Sequence, residues 1–233
     1  MQKLITSYDD VLNMLDSLLR EPTEFWDCFY ENRQNKIPFF INKPDENLVQ
    51  YMENGVIEKG RALELGCGPG RNAIYLAEKG WKVDAIDVSQ ESLRWAKERA
   101  TEKQVEVNFI HHNIFDIQLE NDTYDLIYDS GCLHHIAPHR RVSYIELVKT
   151  KLKPGGYFAL TCFEENGALG GSTISDWEVY QVRSLQGGLG FSKEKLRIIF
   201  KDFEEVQIRQ MEQRTEVDFE FGLSGLWTAL FKK

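Results

Sequence analysis

Apolar residues recur along this chain in two rhythms, and the change between them near residue 60 organises everything else. Upstream, Val11, Leu12, Leu15, Leu18 and Leu19 form one stripe of a helix over 7–20. Ser7, with Asp10 three residues on, resembles a capping box at its start. A second stripe, Phe25, Trp26, Phe29 and Tyr30, follows Pro22, and the run NRQNKIPFFINKP after it reads mostly as loop. From residue 61 onward, short apolar runs alternate with helical segments. Strands are predicted at 61–65, 82–87, 106–111, 124–129 and 157–162. Helices are predicted at 71–79, ended by Gly80; at 89–100, begun by Ser89; and at 138–152, stopped by Pro154-Gly155-Gly156.

Strand, helix and strand at this spacing make βαβ units and hence a parallel sheet, with right-handed crossovers and helices on both faces. The predicted class is α/β, a doubly wound Rossmann-like sheet. After residue 162 the chain enters a Gly-rich stretch, 164–190, with few apolar anchors. A loop that long in a compact domain is usually functional or mobile. A short helix at 192–200 and strands at 205–211 and 226–231 complete the pattern. The expected organisation is one domain, 1–233. Residues 1–58 form a helical extension able to act as a lid, and 59–233 form the α/β core.

Composition narrows the class. The chain has 233 residues, 42% of them hydrophobic, enough for one sizeable core. Its 28 basic against 37 acidic residues give a net charge of −9, a surface that disfavours nucleic acid, whose affinity rests on neutralising phosphates. No run approaches the roughly 20 apolar residues needed to span a bilayer, and the first residues do not read as a secretory signal. Cys28, Cys67, Cys132 and Cys162 are widely spaced with no C-x-x-C pair, as in reduced cytoplasmic proteins. Adjacent strand residues point to opposite faces, so His111 and His112 cannot easily chelate together. No metal is expected. The partner these features leave is a small molecule, met by a cytoplasmic monomer or homodimer.

Chemistry concentrates where the first strand meets the first core helix, at Glu64-Leu65-Gly66-Cys67-Gly68-Pro69-Gly70. Glycines there permit a tight turn and let a ligand lie against the backbone. Asp87 ends the second strand 21 residues after Gly66, where a carboxylate can accept both hydroxyls of a ribose. The dinucleotide fingerprint G-x-G-x-x-G needs a small residue at position 71, and that residue is Arg71. The G-x-G-x-G spacing suits a nucleoside ligand without a pyrophosphate. The chain also lacks a Tyr-x-x-x-Lys or comparable hydride-transfer pair, which disfavours an NAD-dependent oxidoreductase.

The sequence resembles the class I S-adenosylmethionine-dependent methyltransferases over residues 60–162, in four ordered motifs: ELGCGPG, Asp87, YDLIYDSGCLHHI and LKPGGYF. The resemblance implies a seven-stranded sheet whose last strand is antiparallel, and S-adenosyl-L-methionine as cofactor. By it, Glu64, Gly66, Cys67, Gly68 and Gly70 line the methionine half, and Asp87 and Val88 hold ribose and adenine. Asn113 stands where the family usually has an acid for the adenine amino group, and Ile114 lies against the ring. Asp129 and Ser130 face the reacting methyl group. Within the class, GRNAIYLAEKGWKVDAIDVS, FSKEKLRIIF and LWTALFKK are similar to the thiopurine and tellurite-resistance branch. So is Asp129-Ser130-Gly131 followed by His134, His135 and Pro138. The branch's His-Arg-Thr run is met only by Gln213-Arg214-Thr215.

Methyl transfer from a sulfonium needs mainly positioning and exclusion of water. Soft acceptors such as thiols or metalloid oxyanions need little help from a base, whereas hydroxyls and amines usually do. Positions 129–132 read DSGC rather than the N/D-P-P-Y of enzymes that methylate nucleobase amines. The expectation is a small soft acceptor in a pocket bounded by Trp26, Tyr30, His134 and Arg214, with Asp129 and His134 as the acid–base candidates. O- or N-methylation of a small molecule is the alternative, and a non-catalytic cofactor-binding protein stands behind it.

Overall fold

The computed structural model describes residues 4–233. Helix α1 (Tyr8–Asp16) opens with the anticipated capping box: Ser7 Oγ accepts the Asp10 amide at 3.2 Å, and the Asp10 carboxylate accepts the Ser7 amide at 2.9 Å. It stops at Asp16 rather than residue 20. Helix α2 (Pro22–Glu31) then begins with proline at its first turn, where a missing N–H costs nothing. A helix absent from the sequence reading, α3 (Glu46–Glu53), follows Asp45 and buries Leu48, Val49 and Tyr51.

The core alternates as expected: β1 (Arg61–Leu65), α4 (Arg71–Glu78), β2 (Lys82–Asp87), α5 (Gln90–Lys103), β3 (Asn108–His111), β4 (Tyr124–Ser130), α6 (Arg141–Lys151) and β5 (Leu152–Phe163). Helices α7 (Asp176–Val182) and α8 (Lys193–Ile199) precede β6 (Glu204–Gln210) and β7 (Leu226–Lys232). The seven strands lie in the order β3-β2-β1-β4-β5-β7-β6, with β7 antiparallel to both neighbours. Strand order reverses between β1 and β4, and ligands of open α/β sheets bind outside the strand ends at such a switch point.

Each face of the sheet carries its own core. On one, Leu63, Leu65, Phe158 and Leu160 pack with Tyr144 and Val148 of α6 and Leu196 of α8. On the other, Ala62, Tyr128 and Ala159 pack with Leu48 of α3, Leu76 of α4 and Leu93 of α5. The central strands β1, β4 and β7 are buried on both sides, which is why they read as short apolar runs, whereas the edge strands β3 and β6 are more exposed.

The Gly-rich stretch is more structured than its composition suggests. It contains α7, begun by a second capping box between Ser175 and Glu178. Its ends are stitched by Ser172 N–H to Gly188 O (2.9 Å) and Gly190 N–H to Ser172 O (2.8 Å). One residue ties it to the N-terminal helices. His139 donates through Nε2 to the Asp16 carboxylate of α1 at 2.8 Å, and its Nδ1 accepts the Tyr180 hydroxyl of α7 at 2.7 Å. Among the described residues no helix is long and apolar enough to cross a membrane.

Candidate active site

The β1–α4 turn carries Gly66, Gly68 and Gly70 at φ of +64°, +51° and +76°, values that side-chain-bearing residues rarely adopt. Space is as restrictive as conformation. A methyl group on Gly66 would lie 2.9 Å from Cys132 Cβ, and one on Gly68 would lie 2.9 Å from the Tyr30 hydroxyl. Glu64, fully buried on β1, accepts the Ala73 amide at 2.8 Å and so anchors the start of α4. Burial pushes its carboxyl up to about 8. Cys67 is buried, and burial raises its thiol well above the ordinary range, which marks a packing residue rather than a nucleophile.

Asp87 closes β2 beside this turn. Its carboxylate accepts the Gly68 amide through Oδ2 and the Ser89 amide through Oδ1, each at 2.8 Å. Burial nonetheless raises its pKa. Next to it lies a cavity of about 260 Å³ lined by Thr23, Val88, His111, His112, Asn113 and Asp116. Val88 and Asn113 thus meet where the adenine end was expected. Asn113 Oδ1 accepts the Phe115 amide at 3.0 Å, a local turn that takes one of the two lone pairs expected to read an amino group. That turn carries Ile114 into the core beside Ile86, away from the cavity lining. Asp116, His111 and His112 line the cavity instead, and Asp116 is the carboxylate among them.

The N-terminal segment covers the turn. Tyr30 is buried against Gly68, and burial together with the nearby Asp87 carboxylate raises its hydroxyl well above its usual value. Trp26 meets His135 edge to face at 4.8 Å, and the aromatics continue through Phe29, Phe39 and Phe40. Arg99 of α5 donates to the carbonyls of Phe40 and Pro69, fastening that cover to the glycine turn.

Asp129 and Ser130 part company. Asp129 lies on the α6 side and is fully buried, accepting the Cys132 amide (2.8 Å), the Leu133 amide (3.0 Å) and the Tyr144 hydroxyl (2.5 Å). Burial raises it to about 7. Fully buried and enclosed by these three donors, it caps the turn after β4 rather than facing a reacting group. Ser130 lies on the opposite side, where its Oγ accepts from Arg71 at 3.0 Å. That arginine, weighed in the sequence only for its bulk, is 7% exposed and also holds Asp45 at 2.6 Å and the Lys43 carbonyl at 3.0 Å. Asp45 in turn accepts from Asn72 and Tyr128, so a buried polar knot joins α3, α4 and β4 under the site.

His134 lies in the short turn Leu133–His135 after β4, 4% exposed and stacked on Phe163 with ring centroids 3.8 Å apart. Burial drives its pKa well below the ordinary value. Arg214, expected to bound the acceptor pocket, has its guanidinium held by Glu220 and Glu212, each at 2.8 Å, so its charge is already matched.

Residues 62–156 match the family profile described as a methyltransferase domain. An uncharacterized methyltransferase of Synechocystis sp. is 34% identical over 110 residues, 47% of this chain and 50% of that protein. An Arabidopsis thaliana protein named "Probable thiol methyltransferase 2" is 26% identical across 60% of this chain and 65% of its own length. The chain thus matches about half the length of the first of these relatives. A solved structure described by the conversion of a disulfide bond into a thioacetal group during echinomycin biosynthesis superposes with a TM-score of 0.70. It is 21% identical and covers 91% of each chain. The strand order and the glycine turn agree with that match: residues 62–156, which match a methyltransferase domain, lie on a seven-stranded sheet of the order β3-β2-β1-β4-β5-β7-β6.

Proposed function

We propose that the chain is an S-adenosylmethionine-dependent methyltransferase acting on a small soft nucleophile such as a thiol. The observation that carries this reading is the contact of the Gly68 amide with the Asp87 carboxylate at the ends of β1 and β2, beside a cavity lined by Val88 and Asn113 at the ends of β2 and β3. These residues fit the cofactor. Asp87 retains lone pairs for the ribose hydroxyls, the cavity lined by Val88 and Asn113 lies next to it on the side where adenine would sit, and Tyr30 and Cys132 close over the glycine turn that would meet the methionine half. When bound, S-adenosylmethionine supplies an activated methyl group, the C–S bond breaking with its electron pair to sulfur as the acceptor's lone pair forms the new bond.

The protein's own work is positioning and drying. Tyr30, Trp26 and Phe163 supply apolar walls that exclude water, which strengthens every remaining polar contact. The aromatic surroundings favour a neutral or soft acceptor over a highly charged one, and the thiol-directed relative is consistent with that choice. The test is transfer of radiolabelled methyl groups to a panel of thiols, metalloid oxyanions, phenols and amines. Turnover of thiols or metalloids supports the reading. Turnover confined to phenols and amines, or to protein or nucleic acid, refutes the acceptor class.

A further inference from the structure

We propose that His134 serves the site as a fixed hydrogen-bond donor and never as a base, so that the acceptor must arrive with its nucleophilic lone pair already free. This rests on the methyltransferase reading above and specifies its substrate as a nucleophile ionised before it binds, with a low-pKa thiol as the type case.

The argument starts from one hydrogen bond. The backbone N–H of Phe163 donates to His134 Nδ1 at 3.2 Å. An amide nitrogen can only donate, so Nδ1 must present its lone pair, and the proton of the neutral ring resides on Nε2. The ring cannot turn over to exchange these roles. One face is stacked on Phe163 at an interplanar angle of 15°, His135 closes in at 4.3 Å, and the residue's own carbonyl is held by the Leu189 amide at 2.7 Å. Taking up a second proton at Nδ1 would expel the Phe163 amide and create a charge in a nearly dry place. The ring therefore stays neutral through the physiological range, in line with its depressed pKa.

The other nitrogen is differently placed. Nε2 lies 3.8 Å from where a Cβ of Gly131 would stand, in the turn directly after Ser130. Among the described residues no protein group bonds to it. A rigid ring thus offers one N–H, unclaimed by the protein, at the end of β4. Preorganised donors of this kind stabilise negative charge without reorganising when the reaction occurs.

The carboxylates packed beneath this turn are engaged elsewhere. Asp129 is enclosed by three donors, Glu64 is fully buried against the Ala73 amide, and Asp45 is held by Arg71, Asn72 and Tyr128. His135 sits against Trp26, and burial lowers it to about 4. An alcohol or ordinary ammonium acceptor would find no base in His134 or in these groups. A thiolate has none to lose: its lone pair forms the new bond, and its charge is cancelled by that of the sulfonium.

Long-range ¹H–¹⁵N spectra of the labelled protein from pH 5 to 8, with His134→Gln to assign the ring signals, read the tautomer directly. The expected result is a neutral, Nε2-protonated ring that does not titrate. An Nδ1-protonated ring, or a titration within that range, overturns the proposal. In turnover, kcat/KM should follow the acceptor's own ionisation. Glutamine at 134 still offers an N–H and should stay within about tenfold of wild type, the scale of one neutral hydrogen bond. A loss of ~10²-fold or more in His134→Gln would signal a base and overturn the proposal. Calorimetry with S-adenosylhomocysteine separates the two levels. Absence of binding overturns the methyltransferase reading and this proposal with it, whereas binding with a titrating His134 overturns this proposal alone.

Discussion

Replacing Asp87 with asparagine probes the fold of the site and its ligand contact in one variant. The wild-type carboxylate satisfies two backbone amides, those of Gly68 and Ser89, each at 2.8 Å, from a position 7% exposed. Asparagine brings one acceptor oxygen and one NH2 group, so one of the two amides must face a donor. A buried donor left unpaired costs about 1–3 kcal/mol. In a domain of this size each kcal/mol moves the melting temperature by roughly 2–4 °C, so Tm should fall by roughly 2–12 °C. The ligand loses separately. Two ribose hydroxyls can share a carboxylate, and a hydrogen bond to a charged group contributes about 1.5–3 kcal/mol, so affinity for S-adenosylhomocysteine should fall roughly 10- to 150-fold. Thermal melts followed by circular dichroism and calorimetric titration well below both transitions measure the two effects independently. An unchanged Tm refutes the paired amide contacts, and a folded variant that binds within twofold of wild type refutes the ribose assignment.

Three further outcomes follow from the geometry. Burial raises the Glu64 carboxyl to about 8, well above the unfolded value of about 4.3. Its contribution to stability is therefore complete below pH ~4.3 and is lost as pH rises to about 8. Glu64→Gln removes that dependence, so denaturant titrations should show its stability gaining on wild type between pH 5 and 8 and levelling above; a constant difference contradicts the shift. His139→Phe cuts the link between Asp16 of α1 and Tyr180 of α7, so hydrogen exchange should quicken in 8–16 and 176–182 together while the sheet is unaffected. A change in one segment only would show that they are not coupled. Because Asn113 Oδ1 already accepts the Phe115 amide, Asp116→Ala should weaken S-adenosylhomocysteine binding more than Asn113→Ala, and the reverse order would return the adenine contact to Asn113.

The core sheet was legible because its central strands are buried on both faces and its turns carry glycine and proline at their ends. Helix α3 was equally written in Leu48, Val49, Tyr51 and Met52, at helical spacing behind Asp45, but the Pro- and Asn-rich run before it reads as continuing loop. The parting of Asp129 and Ser130 follows from the alternation of strand side chains, which assigns them to opposite faces however close they stand in sequence. Local sequence could not reveal that Arg71 gathers Ser130, Lys43 and Asp45, since these partners lie as far as 59 residues away. Arg214 misled for a related reason. Its neutralising carboxylates, Glu212 and Glu220, are close in sequence, but only the turn between them brings both to one guanidinium. Ile114 shows how a single side chain redirects backbone: Asn113 folds back on Phe115 and turns the next residue into the core.

The most direct test of the account is a pair of calorimetric titrations of the wild-type protein, one with S-adenosylhomocysteine and one with NAD. The glycine turn, Asp87 and the cavity beside Val88 predict saturable binding of S-adenosylhomocysteine at one site per chain and no heat with NAD. Binding of NAD, or no binding of S-adenosylhomocysteine by the folded protein, would contradict it.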